Sequence, residues 1–156
     1  MRERRTRSEG SSSERITERE RQKSMIKWDE RFATGSVLVD TQHRMLIDKI
    51  NELEELLNGP PPTKVACDVL LNFLGSYVGT HFKFEEGCME RMHCPVHTQN
   101  QQAHAAFLAM FTRFKERYLA EGPKPELLKS LQVFSSEWIS SHILAVDIKL
   151  RSCIKE

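Results

Sequence analysis

Four long stretches of this 156-residue chain repeat apolar side chains every three or four residues, and this periodicity constrains the fold most strongly. Such spacing places apolar side chains on one face of an α-helix, whereas a half-buried strand would require alternation. No stretch shows sustained alternation, and no internal repeat is visible. The sequence therefore predicts an all-α protein built from four amphipathic helices.

Turn-forming residues separate the four stretches. Gly59 and the three prolines that follow it end the first helix, Thr63 is a good N-cap for the second, and GPKP at residues 122–125 ends the third. The predicted helices run from residue 40 or 41 to 58, from 64 to about 92, from about 99 to 121, and from 126 to near the C-terminus. Connections this short favour an antiparallel up-down four-helix bundle.

The charge distribution divides the chain into a tail and a single domain. Residues 1–24 hold eight Lys or Arg and five Asp or Glu, with few apolar side chains, so we expect a charged, flexible N-terminal tail. Residues 25–156 form the predicted bundle. Over the whole chain 23 basic residues balance 22 acidic ones, which gives no reason to expect a nucleic-acid partner.

The cysteines and the lack of long apolar runs predict a cytoplasmic protein. Cys67, Cys88, Cys94 and Cys153 form no CxxC pair and lack the dense spacing of disulfide-stapled secreted domains, so free thiols are expected. No segment approaches 18 consecutive apolar residues, and the charged N-terminus is not followed by an apolar run. We therefore expect neither a membrane span nor a signal peptide.

Several ionisable residues fall on the apolar helix faces. Each helix contributes one histidine, and two carboxylates accompany them: His43, His81, His104, His142, Glu85 and Asp147. A single such histidine is usually a hydrogen-bonded core residue, but a buried carboxylate is costly without a compensating charge. Six of these donors converging from four helices predict a pair of divalent metal ions, for which iron or manganese suits the imidazole and carboxylate ligands.

Two details of the spacing qualify this prediction. His142 and Asp147 are five residues apart and would diverge by roughly 140° on an ideal helix, so a local bend is required. The segment CMERMHCPVH offers a rival zinc site, with Cys88, His93, Cys94 and His97, although its spacing matches no familiar zinc motif. A ferritin-like site would need ExxH pairs facing the core, and none is present.

Five ordered motifs resemble those of the bacterial hemerythrins: WDERFATGSVLVDTQH, HFKFEE, HAAF, WISSH and an aspartate five residues beyond. The resemblance covers residues 25–156 almost completely. It implies that His43 and His81 bind one iron, that His104 and His142 bind the other, and that Glu85 and Asp147 bridge them. It further implies an O2-binding protein for sensing, storage or delivery. We expect binding rather than catalysis, because the sequence shows no substrate-pocket chemistry beyond the metal ligands. The candidates for lining the O2 pocket are Trp28, Phe82, Phe107, Trp138 and Ile143.

The chain departs from that family pattern on the third helix. Members usually carry HxxxH there, whereas the first position here is Asn100 and only His104 is retained. Asn100 is therefore a weak or vacant ligand position, which water could fill, which His97 could replace, or which could leave metal binding weak. Two other functions stay open: a di-iron redox centre that reacts with peroxide or nitric oxide, and a metal-poor structural or partner-docking bundle.

Overall fold

A computed structural model of the protein describes residues 25–154. The predicted N-terminal tail, residues 1–24, lies outside the described residues. Four α-helices make up most of the described chain: α1 (Val37–Asn58), α2 (Lys64–Arg91), α3 (His97–Glu121) and α4 (Pro125–Ala145). Each helix packs against the next, and α1 also packs against α4. This closed ring confirms the predicted antiparallel up-down four-helix bundle.

Helix α1 begins three or four residues earlier than predicted, because Ser36 is its N-cap. The Ser36 hydroxyl accepts a hydrogen bond from the Val39 amide, which satisfies one of the free N–H groups of the first turn. The Asp40 carboxylate instead accepts hydrogen bonds from the backbone and the hydroxyl of Thr34, and so fixes the entry loop. Thr63 is the N-cap of α2, as predicted.

The fourth helix ends sooner than predicted, and its end supplies the bend that the site requires. Helix α4 stops at Ala145, and Val146 adopts φ −122° and ψ −59° before a 3₁₀ helix, Asp147–Ser152, begins. The break turns Asp147 back towards the face of α4 that carries His142. Both residues are buried as a result.

A disulfide joins Cys94 to Cys153, so the prediction of four free thiols is wrong for this pair. Cys94 lies in the turn between α2 and α3, and Cys153 follows the C-terminal 3₁₀ helix. Only the folded topology brings them together, since 59 positions separate them along the chain. Cys67 and Cys88 are free and buried. The disulfide also removes Cys94 from the rival zinc site.

Two apolar clusters fill the bundle. The larger occupies most of its length, where Gly75 of α2 lets the ring of Phe111 approach closely: a Cβ at this position would lie 2.9 Å from Phe111 Cε1. The smaller surrounds the disulfide with Val39, Met89 and Leu150. The ionisable residues therefore lie towards the end of the bundle that the smaller cluster covers. Among residues 25–154, no helix is long and apolar enough to cross a bilayer.

Candidate metal centre

The four predicted histidines meet inside the bundle, one from each helix. His43, His81 and His104 are almost completely buried, and His142 is 7% exposed. The Glu85 carboxylate lies among them. Its Oε2 is 3.2 Å from His43 Nε2 and 3.6 Å from His81 Nε2, whereas its Oε1 is 3.6 Å from His104 Nε2. Glu85 therefore presents one oxygen to the His43–His81 pair and the other to the side of His104.

The Asp147 carboxylate, which follows α4, is arranged in the same way. Its Oδ2 is 3.3 Å from His43 Nε2, and its Oδ1 is 3.1 Å from His142 Nε2. The donors thus form two groups that could each hold a metal ion, one with His43, His81 and Glu85, the other with Glu85, His104, His142 and Asp147. The structure brings together all six residues for which the sequence predicts a metal-binding role.

Several buried nitrogen and oxygen atoms of these residues lack a hydrogen bond and could bind cations instead. His43 Nε2, Glu85 Oε2 and Asp147 Oδ1 are buried and have no hydrogen bond of acceptable geometry, although nitrogen and oxygen atoms face each other at 3.1–3.3 Å. Buried polar atoms normally have partners, and an unpaired buried carboxylate oxygen is especially costly. A donor set of imidazole nitrogen and carboxylate oxygen fits iron or manganese.

Burial determines the protonation of the imidazoles. It lowers the pKa of His81 well below the usual value and that of His104 to about 3, so both rings are neutral and retain a lone pair for a metal. Burial would also lower the pKa of His43, but the neighbouring carboxylates of Asp147 and Glu85 raise it to about 9. The raised pKa shows that the two carboxylates favour a positive charge at His43. A metal ion could supply that charge in place of the proton.

The pKa values of the two carboxyl groups are shifted in opposite directions. Burial and the negative charge of Asp147 raise the pKa of Glu85 to about 7. Burial opposes ionisation of Asp147 as well, but the neighbouring imidazoles of His142 and His43 outweigh it and lower the pKa of this carboxyl. The pair therefore carries more negative charge than the protein alone stabilises well, and a divalent cation between them would relieve that imbalance.

Two residues that sequence reasoning missed hold the outer nitrogens of the imidazoles. His81 Nδ1 lies 2.8 Å from Gln42 Oε1, and His104 Nδ1 lies 2.8 Å from Glu86 Oε1. Both partners directly adjoin a predicted ligand in the sequence, in TQH and in HFKFEE. The residue next to a ligand on a helix is rotated by about 100° from it and so faces an adjacent helix. Its position beside a predicted ligand is the feature that could have identified Gln42 and Glu86.

Asn100 is fully buried within the centre. Its Nδ2 donates to Glu85 Oε1 at 2.7 Å and contacts Met89 Sδ at 3.3 Å, while its Oδ1 is 2.8 Å from His142 Nε2. Because an ionised carboxylate only accepts hydrogen bonds, the amide NH₂ must face Glu85, and the carbonyl oxygen is left for the His142 side. His97, the predicted substitute, belongs to neither donor group of the described residues.

Aromatic rings enclose one side of the centre. Phe82 stacks on His104 with ring centroids 3.7 Å apart, and Trp138 stacks on His142 at 4.3 Å. Both rings, together with Phe107, also line an apolar cavity of about 20 Å³. This cavity could hold one small molecule.

The other two predicted pocket residues lie elsewhere. Trp28 packs against Phe32 with the Arg44 guanidinium 4.3 Å above its ring, and Ile143 is buried in the main core; neither lines this cavity.

Comparison with known proteins agrees with this centre. Residues 34–150 match the hemerythrin HHE cation binding domain. The chain is 27% identical over 116 residues to a bacteriohemerythrin of Pseudomonas aeruginosa (strain LESB58), which covers 74% of this chain and 72% of the relative. It is 23% identical over 124 residues to a bacteriohemerythrin of Stenotrophomonas maltophilia (strain R551-3), covering 80% and 78%. It is 28% identical over 124 residues to hemerythrin subunit alpha of Lingula reevii, covering 80% and 91%. The chain belongs to the hemerythrin HHE cation-binding family.

Proposed function

We propose that the protein is a non-haem di-iron protein that binds O2 reversibly and serves in sensing, storage or delivery. The observation that carries this proposal is the placement of the two carboxylates. Glu85 and Asp147 each direct one oxygen to His43 and the other to the side of His104 and His142. A carboxylate that presents one oxygen to each side could bridge two neighbouring cations, and the family's name agrees with cation binding.

In this proposal one iron is held by His43 and His81, and the other by His104 and His142. When bound in the ferrous form, the two ions supply the electrons for O2 binding. The protein residues position the ions, neutralise their charge with Glu85 and Asp147, and exclude water. Phe82 and Trp138 serve the last role, because their rings stack on His104 and His142 and line the apolar cavity together with Phe107.

Iron is the metal we propose, and manganese is the alternative, since the same nitrogen and oxygen donors suit both. A cytoplasmic location stays a prediction. The Cys94–Cys153 disulfide removes one of its supports, because disulfides are rare in reducing compartments.

A redox centre that reacts with peroxide or nitric oxide is the second candidate, and Asn100 favours it. An amide oxygen is a weaker iron ligand than an imidazole nitrogen, and the Asn100 amide also donates a hydrogen bond to Glu85 Oε1. Both features would lower electron donation to the iron near His104 and His142. A more accessible coordination position there would favour reaction over reversible binding.

Metal content and O2 cycling test the first proposal. Protein loaded with ferrous iron without oxygen should contain two iron ions per chain and should show a spectrum that appears with O2 and disappears when O2 is removed. Glu85→Ala should lose most of the iron, whereas Glu90→Ala, which changes an exposed carboxylate on the same helix, should keep it. Iron-free wild-type protein, or unchanged occupancy in Glu85→Ala, would refute a di-iron centre.

Asn100→His separates the two candidate functions. If the protein is a reversible O2 carrier, a third imidazole should slow the irreversible oxidation of the oxygenated protein. An oxidation rate equal to that of the wild type would contradict our account of Asn100. Rapid turnover of peroxide by the wild type, with no reversible O2 spectrum, would favour the redox centre.

A further inference from the structure

The residues that bond the Nδ1 atoms of His81 and His104, on the side away from the centre, differ in charge. His104 Nδ1 meets the Glu86 carboxylate across the α2–α3 contact, and His81 Nδ1 meets the Gln42 amide across the α1–α2 contact, each at 2.8 Å. In both cases the inner nitrogen, Nε2, faces Glu85 at 3.6 Å. The two imidazoles are therefore matched in geometry but not in the chemistry of their supports.

A carboxylate sets the tautomer of an imidazole more strictly than an amide does. Ionised Glu86 can only accept, so the hydrogen of the neutral His104 ring must lie on Nδ1, and the Nε2 lone pair faces the centre. Gln42 can accept through its oxygen or, with its amide rotated, donate through its nitrogen, so it supports His81 in either tautomer. A carboxylate partner also makes the imidazole a stronger donor to a metal.

Ring stacking holds the His104 and His142 imidazoles in place. His104 and His142 stack on Phe82 and Trp138 with interplanar angles of 3° and 13°, whereas His43 and His81 meet each other edge to face at 73°. The Asn100 carbonyl oxygen adds a fifth potential donor on the His104–His142 side. Rings that are already held in the binding orientation lose less freedom when a metal binds.

We propose that Glu86 is a positioning residue that makes the His104–His142 position the tighter of the two metal positions, so that this position fills first. This inference rests on the proposed function, because it takes the six donors to be metal ligands. It assigns Gln42 the corresponding but weaker role at the His43–His81 position. The order of loading then follows from the charge of the outer residue on each side.

Reciprocal substitutions test the order. Metal-free protein is titrated with ferrous iron under nitrogen, and bound iron is measured by equilibrium dialysis. We expect two binding steps in the wild type. Glu86→Gln should weaken the tighter step about 10–100-fold and leave the weaker step unchanged. Gln42→Glu should tighten the weaker step and leave the tighter one unchanged. Glu90→Gln removes the same charge from α2 at an exposed position and should alter neither step.

Nitrogen-15 NMR of the metal-free protein gives a readout that does not depend on metal. His104 should carry its hydrogen on Nδ1 in the wild type and should show both tautomers in Glu86→Gln. A wild type that binds two iron ions tightly, together with an unchanged tighter step in Glu86→Gln, would overturn this inference alone. A wild type that binds no iron would overturn the proposed function as well.

Discussion

Reduction of the Cys94–Cys153 disulfide should destabilise the protein strongly, because this crosslink closes a long loop. The two cysteines are 59 positions apart, and the entropy lost by an unfolded chain closed over that length corresponds to about 4 kcal/mol at 25 °C. Cys94 and Cys153 are buried in the smaller apolar cluster, so their thiols would remain near each other in the reduced folded protein. The effect therefore lies mainly in the unfolded state.

Urea unfolding of the metal-free protein, with and without a dithiol reductant, measures this effect. The reductant should lower the free energy of unfolding by about 4 kcal/mol. The double variant Cys94→Ala/Cys153→Ala should be insensitive to reductant, whereas Cys67→Ala, which removes a buried free thiol, should keep the full difference. Identical unfolding curves for oxidised and reduced wild type would refute the argument, as would four reactive thiols in denatured, unreduced protein.

Two further predictions concern the packing of α2 and the charge of the centre. Gly75→Ala should lower the free energy of unfolding by about 1–3 kcal/mol, because its Cβ would lie 2.9 Å from Phe111. Gly79→Ala should not lower it, because a Cβ there meets nothing within 4 Å. Equal effects of the two substitutions in urea unfolding would contradict the close approach of Phe111 to Gly75. In the metal-free protein, the raised pKa of His43, about 9, contributes stability that is full below pH 6.5 and is lost as the pH rises towards 9. The free energy of unfolding should therefore fall by about 2 kcal/mol from this group between pH 7 and pH 9, and iron-loaded protein, in which no proton is needed there, should lack this fall.

The helices, the four central histidines and Glu85 could be predicted from the sequence because each depends on local periodicity. His81 and Glu85 are one turn apart on α2, so a single helical face places both inside. The sequence shows that a bend must precede Asp147, because this residue is five positions beyond His142, but it does not show what form the bend takes. Its form, a helix that stops at Ala145 and continues as a 3₁₀ helix, depends on how the C-terminal segment packs.

The contacts that could not be predicted join residues far apart in the chain. The Cys94–Cys153 pair, the Gln42–His81 contact and the Glu86–His104 contact each cross between elements. Periodicity identifies the face on which a residue lies but not the register between two helices, and that register decides which outer nitrogen meets which side chain. The motif HFKFEE ends in Glu86, but the metal-binding role that the family resemblance implies belongs to Glu85.

Because every helix contributes a donor, the centre couples metal binding to the docking of the whole bundle. His43, His81, His104 and His142 lie on four separate helices, and Asp147 follows the last of them. An unfolded chain holds these donors apart, so a cation that needs several of them binds the folded state almost exclusively. Such a ligand at 100 times its dissociation constant stabilises the folded state by about 2.7 kcal/mol. The ionised Glu85 carboxylate, whose raised pKa shows that the metal-free bundle stabilises its charge poorly, is thus the group through which metal binding would most stabilise the complete bundle.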